Sequence, residues 1–99
     1  MANIEIELEI NGEIKRFVCT KIKGILLRKT VGIIKVFESM DKGMDEEKLD
    51  RLADYMVDVF GKQFTREEFY DGIELGDVIT KIQNIAETIM DIASSKIKN

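Results

Sequence analysis

The chain contains no histidine, no proline and no tryptophan, and it has one cysteine, Cys19. Histidine is the usual acid–base group at neutral pH and the commonest metal ligand, so its absence removes the most frequent catalytic and metal-binding designs. A single cysteine forms neither an intrachain disulfide nor a zinc site, and it fits a reducing compartment. The remaining composition, 44% hydrophobic and 34% charged, is typical of a soluble globular domain.

Several sequence signals of specific functions are also missing. No apolar run approaches the ~18 residues of a membrane span, and no glycine-rich phosphate loop is present. The stretch "MDKGMDEEKLD" is acidic, but Gly43 and Glu46 occupy positions where a calcium loop requires other residues. The N-terminal "MANIEIELEI" carries acid where a signal peptide carries Lys or Arg. We therefore expect a cytoplasmic protein that is not an enzyme and uses no cofactor or metal.

The N-terminal part has the period-2 pattern of a strand with one buried face. Hydrophobic residues alternate with acids, as Ile4, Ile6, Leu8 and Ile10 against Glu5, Glu7 and Glu9. Asn11-Gly12 follows, the strongest short signal for a two-residue hairpin turn, because both residues accept positive φ. Such a loop predicts the cross-strand pairs Ile4 with Cys19, Ile6 with Phe17, and Glu7 with Arg16. Residues 3–20 are thus predicted to form a β-hairpin, with Cys19 as a small core residue.

The rest of the chain reads as helical. We predict helices over residues 23–41, from the Asp45 N-cap to Phe60, over residues 66–71 and from about Leu75 to Lys96. The fourth helix has an apolar seam spaced three and four apart, formed by Leu75, Val78, Ile82, Ile85, Ile89 and Ile92. No proline, repeat or low-complexity linker divides the chain. The predicted fold is α+β, one domain over residues 1–99, in which the hairpin packs on about four helices (residues 23–96).

The stretch "FGKQFTREEFYDGI", residues 60–73, ends one helix and starts the next within a few residues. Its predicted devices are a helix-end glycine, a capping box, a hydrophobic staple and a closing glycine. The residues that supply these devices or share the corner are Phe60, Gly61, Gln63, Phe64, Thr65, Glu68, Phe69, Asp71 and Gly72. The aromatic residues are either core or partly exposed partner contacts. Gln63 either satisfies backbone groups in the turn or is solvated.

The first helix has more apolar surface than one core contact needs. At 100° per residue, one broad face comprises Ile22, Ile25, Leu26, Ile33, Val36, Phe37 and Met40. A second apolar stripe comprises Leu27, Val31 and Ile34. Between the broad face and this stripe lie Gly24, Arg28, Gly32 and Lys35. The stripe and these four residues together, seven in all, are the candidate partner-binding strip. The alternative is a helix that its own hairpin and fourth helix bury on two sides.

Basic and acidic residues are segregated into different segments of the chain. Residues 14–37 carry seven bases and no acid, whereas residues 38–78 carry thirteen acids and five bases. The pattern is explained either by pairing within the subunit or by a head-to-tail contact between copies, which would give a homo-oligomer. Nucleic-acid binding is not expected, because acidic segments flank the basic block and the net charge is −4.

The hairpin turning at "NG", the Leu-rich basic helix and "FGKQFTREEFYDGI" together resemble the tail assembly chaperones of long-tailed bacteriophages. The most specific match is Phe60-Gly61, Gln63-Phe64-Thr65 and Asp71-Gly72, which follow an "FGnQFT…DG" pattern. The resemblance implies a non-enzymatic protein of the host cytoplasm that is absent from the finished virion. It also implies three protein partners: the tape-measure protein, the tail-tube protein and a longer, frameshifted form of the chaperone itself.

The sequence alone is also compatible with two other classes of protein. A head–tail joining protein of the virion has similar size and acidity. A helix-turn-helix regulator would use the corner at residues 60–73, although Glu67 and Glu68 at the start of its second helix oppose contact with phosphates.

Overall fold

The computed structural model describes residues 4–19 and 21–97, with side chains up to residue 94. It contains strands β1 (Ile4–Ile10) and β2 (Glu13–Cys19), followed by helices α1 (Gly24–Glu38), α2 (Glu46–Val59), α3 (Arg66–Gly72) and α4 (Val78–Ile97). Short 3-10 turns at Met40–Lys42 and Leu75–Asp77 precede α2 and α4. The hairpin followed by packed helices confirms the predicted α+β class. Residues 3 and 20, the predicted ends of the hairpin, lie outside the described residues.

The hairpin has the predicted register. β1 and β2 are antiparallel, with Ile4 opposite Cys19 and Ile6 opposite Phe17. The turn residues Asn11 and Gly12 both have positive φ, 55° and 81°, as a two-residue turn requires. Because side chains alternate between the faces of a strand, one face of β1 (Ile4, Ile6, Leu8) is buried on the helices.

The predicted cross-strand pair of Glu7 with Arg16 is confirmed, and the ion pair of Arg16 is made with another acid of β1. Glu7 does stand opposite Arg16, yet the Arg16 guanidinium donates to Glu5, its diagonal neighbour on the same face, with an Nε–Oε2 distance of 3.0 Å. A diagonal neighbour is farther away than a direct one but remains within reach of a long arginine side chain. Cys19 is half-buried at the margin of the core.

The core lies between the hairpin and the helices. α1 packs on α2 and α4, and α3 packs on β1 and α2. The three longer helices contribute buried faces at helical spacing, as in Leu52, Ala53, Met56 and Val59 of α2 and Ile82, Ile85, Ala86 and Ile89 of α4. α2 begins as predicted, because the Asp45 carboxylate accepts the backbone N–H of Lys48 at 2.8 Å.

Three residues assigned to buried faces prove to be exposed. Leu75 is 91% exposed because it lies in a 3-10 turn, so the seam of α4 starts only after it. Ile22 is 36% exposed and precedes the first residue of α1, where helical spacing does not apply. Ile25 is 54% exposed because it lies about 80° around α1 from the buried Ile33.

Candidate protein-interaction surface

The corner between α2 and α3 is built on buried aromatic rings. Phe60, Phe64 and Phe69 are 1%, 3% and 0% exposed. The ring of Phe64 lies 5.6 Å from Phe60, 6.4 Å from Phe69 and 4.9 Å from Phe17 of β2, measured between centroids. Burial decides between the two interpretations of these residues: they are core, and Phe64 joins the hairpin to both helices.

The turn before α3 connects the corner to the hairpin through a polar contact. Gly61 and Lys62 have positive φ, 65° and 62°, which reverses the chain after α2. The side-chain amide of Gln63 then donates to the carbonyl oxygen of Val18 on β2, at 3.0 Å. Gln63 therefore satisfies a backbone group of the hairpin, 45 residues away, and not of its own turn. Sequence reasoning carried no signal for this long-range partner.

α3 starts with the predicted capping box. The Thr65 hydroxyl accepts the N–H of Glu68 at 3.1 Å, and the Glu68 carboxylate accepts the N–H of Thr65 at 2.9 Å. Phe64 and Phe69 flank the cap as the predicted hydrophobic staple. Asp71 is exposed, and Gly72 is the last residue of the helix.

Polar contacts between α2 and α3 were not anticipated. The Arg66 guanidinium donates to both carboxylate oxygens of Asp54 at 2.8 Å, and the Tyr70 hydroxyl donates to Asp50 at 2.7 Å. The hydrogen bonds from Arg66 hold the pKa of Asp54 below its ordinary value. The spacing of residues within one helix does not indicate which residues pair between helices. The pairs between α2 and α3 depend on the angle that the corner sets between these two helices.

The outward face of α1 carries the candidate partner-binding strip. Leu27 and Val31 are 38% and 44% exposed, Ile34 is half-buried, and Arg28 and Lys35 are exposed. Gly24 and Gly32 face open space, since an added Cβ at either would meet no atom within 4 Å. α1 is held by α2 and α4 on its inner side, which leaves the apolar stripe accessible among the described residues.

A groove runs beside this stripe. It has a volume of about 480 Å³, and its apolar lining comes from Ile34 and Phe37 of α1 and from Ala86 and Met90 of α4. The charged residues in its lining are Glu38 of α1 and Glu87 and Asp91 of α4. The groove and the stripe together form one partly apolar surface between two helices.

Only part of the basic block is paired within the subunit. Of its seven bases, Arg16 bonds Glu5 and Lys29 bonds Asp58 of α2 at 2.7 Å, whereas no ion pair involves the other five among the described residues. Arg28 and Lys35 belong to these five and flank the apolar stripe. Charge is therefore available on this surface for contact with another molecule.

The thiol, the potential metal ligands and the helix lengths of the described residues bear on functions other than protein binding. Burial raises the pKa of the Cys19 thiol above its ordinary value. No group of histidine, cysteine and carboxylate side chains that could hold a metal occurs among them. None of the described helices has the length and apolar character needed to cross a bilayer.

A hairpin fixed on a helical scaffold beside an exposed apolar groove is an arrangement suited to binding other proteins. Residues 1–99 match the family described as phage tail chaperone protein, so the chain belongs to that family. The family role is that of a chaperone in tail assembly, with protein partners and no enzymatic activity. Searches of curated proteins and of solved structures gave no significant match.

Proposed function

We propose that this chaperone binds the tape-measure protein and the tail-tube protein of its phage during tail assembly. The observation that carries the proposal is the exposed stripe of Leu27 and Val31 beside the groove between α1 and α4. A groove between two helices accepts an amphipathic helix, which inserts apolar side chains at helical spacing. A long, helical and apolar client such as a tape-measure protein presents such segments.

Charge supports a defined orientation of the client in this groove. The charged residues that line the groove are acids, Glu38 of α1 and Glu87 and Asp91 of α4, whereas Arg28 and Lys35 are exposed on α1 outside its lining. A client helix with bases along the edge over the groove and acids along the edge toward Arg28 and Lys35 would pair with both. Exposed ion pairs add little affinity but select orientation and raise the association rate, so the apolar stripe supplies most of the affinity.

Co-expression with the tape-measure and tail-tube proteins of the same phage, followed by pull-down, tests the proposal. Wild type should retain the clients, and Leu27→Ser with Val31→Ser should lose them. Ile25→Ser is the matched control, because Ile25 is 54% exposed on the same helix and does not line the groove. Equal recovery with the stripe variant and the control would contradict docking on α1.

We place the working protein in the host cytoplasm and outside the mature virion. Its further proposed partners are a longer, frameshifted form of itself and other copies of the chain. Purified phage particles distinguish this role from that of a head–tail joining protein, which would remain in the particle. A chaperone is expected to be missing from particles but present in lysates before tails are complete.

Duplex DNA is not among the proposed partners. At the start of α3, Arg66 is held by Asp54 and lies 3.5 Å from an Asp50 oxygen, so its charge is neutralised within the subunit. Glu67 is exposed beside it. An acidic helix start opposes contact with phosphates. Binding to duplex DNA at low salt would contradict this expectation.

A further inference from the structure

Leu75 is the most exposed large apolar residue that the structure describes. It is 91% exposed, in the 3-10 turn between α3 and α4, with Glu74 and Asp77 close by in sequence. A leucine this exposed contributes almost nothing to folding through burial, so its apolar surface remains available to another molecule. Met44, before α2, is 42% exposed and lines the same region of the surface.

On one side of Leu75 lies an apolar cleft of about 330 Å³. Its walls come from the start of α2, the end of α3 and the start of α4, and they include Met44, Leu49, Ile73, Val78 and Ile79. The hydroxyl of Tyr70, which also lines the cleft, donates to Asp50, so this ring is held in place. The cleft therefore offers a preformed apolar surface to a large side chain.

On the other side of Leu75 lies a second cleft, of about 350 Å³, with an acidic lining. Its charged residues are Glu7, Glu9, Asp71, Glu74 and Asp77, against one base, Lys81. No ion pair engages these five carboxylates within residues 4–19 and 21–94. A partner that buries Leu75 must lie beside this charge, so charge complementarity requires a basic partner.

We propose that the Leu75 surface, meaning Leu75 with its apolar and acidic clefts, is a second docking site for a basic amphipathic segment of a partner protein. An apolar anchor of the segment fills the cleft beside Met44, and its lysine or arginine side chains lie against Glu74 and Asp71. The surface shares no residue with the strip on α1, so the inference does not depend on the proposed use of that strip.

A synthetic helical peptide with leucines on one face and lysines on the other is a suitable probe. Its binding to the wild-type protein, followed by fluorescence anisotropy of a labelled peptide, should be detectable at low salt and weaker at high salt. Leu75→Ala should weaken binding about tenfold, because the partner loses its central apolar contact. Asp71→Asn with Glu74→Gln should weaken binding and flatten its salt dependence.

Matched variants outside both proposed surfaces serve as controls. Ile25→Ala truncates another exposed apolar side chain, and Asp41→Asn with Glu67→Gln removes the same charge from exposed positions that line none of the three grooves. Neither should change the affinity for the peptide by more than about twofold. Circular dichroism should be unchanged for Leu75→Ala, whose side chain is solvent-exposed.

Three results would overturn the proposal. The first is no peptide binding at low salt, and the second is equal loss with the control variants, which would indicate non-specific attraction to an acidic protein. The third is sedimentation showing that wild type associates with itself and that Leu75→Ala abolishes this, since the occupant would then be a second copy of the chain.

Discussion

Gly72 shows how a single residue fixes the distance between two elements. At the end of α3, an added Cβ would lie 2.8 Å from the carbonyl oxygen of Glu9 and 2.9 Å from the Cβ of Leu8, both on β1. Gly12 and Gly61 are glycines for another reason, since their φ values are 81° and 65°. Gly72 therefore allows α3 to pack directly on the strand, which the sequence signal of a helix-end glycine did not reveal.

Gly72→Ala should destabilise the protein by about 1–3 kcal/mol, because the backbone of β1 must move to admit a methyl group. Urea unfolding followed by circular dichroism measures the change in free energy. Gly76→Ala is the matched control, since nothing lies within 4 Å of its added Cβ, and it should change stability by less than about 0.5 kcal/mol. Equal stability of the two variants would mean that α3 does not approach β1 this closely.

α3 illustrates how an element depends on its surroundings. It has seven residues, well below the length at which an isolated helix is stable in water. It is held by its capping box, by the buried ring of Phe69, and by the contacts of Arg66 and Tyr70 with α2. Loss of any of these contacts should loosen the corner at residues 60–73 and so change the angle between α2 and α3.

The capping box gives the second prediction. Thr65→Ala with Glu68→Ala removes both reciprocal hydrogen bonds and should lower stability by about 1–2 kcal/mol. Thermal unfolding measures the loss as a lower Tm. Glu67→Ala is the control, because Glu67 is exposed in the same turn and takes no part in the box. A double variant as stable as this control would show that the box does not hold α3.

The ion pair between α2 and α3 gives a pH-dependent prediction. Arg66 lowers the pKa of Asp54 below its ordinary value, so this carboxylate stabilises the folded state above pH ~4 and loses that effect as pH falls through its folded pKa. The stability difference between wild type and Asp54→Asn should thus shrink between pH 7 and pH 3 in urea titrations. The effect should be small, because the Asp54 side chain is 51% exposed. A difference that does not depend on pH would contradict the ion pair.

At the scale of the whole molecule, the sorted charge is only partly satisfied within one subunit. Arg16 and Lys29 have internal partners, whereas Arg28 and Lys35 have no ion pair among the described residues. Exposed acids on α2 and α3, such as Glu46, Glu47 and Glu67, stand on other surfaces of the subunit. A contact between the basic surface of one copy and the acidic surface of the next would join subunits head to tail.

Self-association is therefore the fourth prediction, measured by sedimentation. Arg28→Glu with Lys35→Glu should weaken assembly, and raised salt should weaken the wild type modestly, because exposed ion pairs contribute only ~0–1 kcal/mol each. Leu27→Ser with Val31→Ser should weaken it more, without unfolding, since both side chains are exposed. A wild type that stays monomeric at high concentration, with and without its clients, would show that the charge sorting does not serve assembly.

The sequence by itself determined the local structure. The alternation of hydrophobic and acidic residues in the first strand, with the turn at Asn11-Gly12, specified the hairpin and its register. Asp45 and Thr65 specified the starts of two helices. These features depend on neighbours in the chain, so backbone geometry and hydrogen bonding over a few residues decide them. The family pattern in residues 60–73 likewise indicated a tail chaperone, in agreement with the family match.

Only the tertiary structure decided which apolar residues are buried and which polar residues meet. It exposed Leu75 and Ile25, buried Phe60, Phe64 and Phe69, and brought Gln63 to Val18. Thr30, fully buried where its hydroxyl meets the Tyr55 hydroxyl at 2.6 Å, is another contact between elements that helical spacing did not indicate. The physical reason is that burial depends on the angles and distances between elements, which are set by packing across the whole core and not by the periodicity of any single segment.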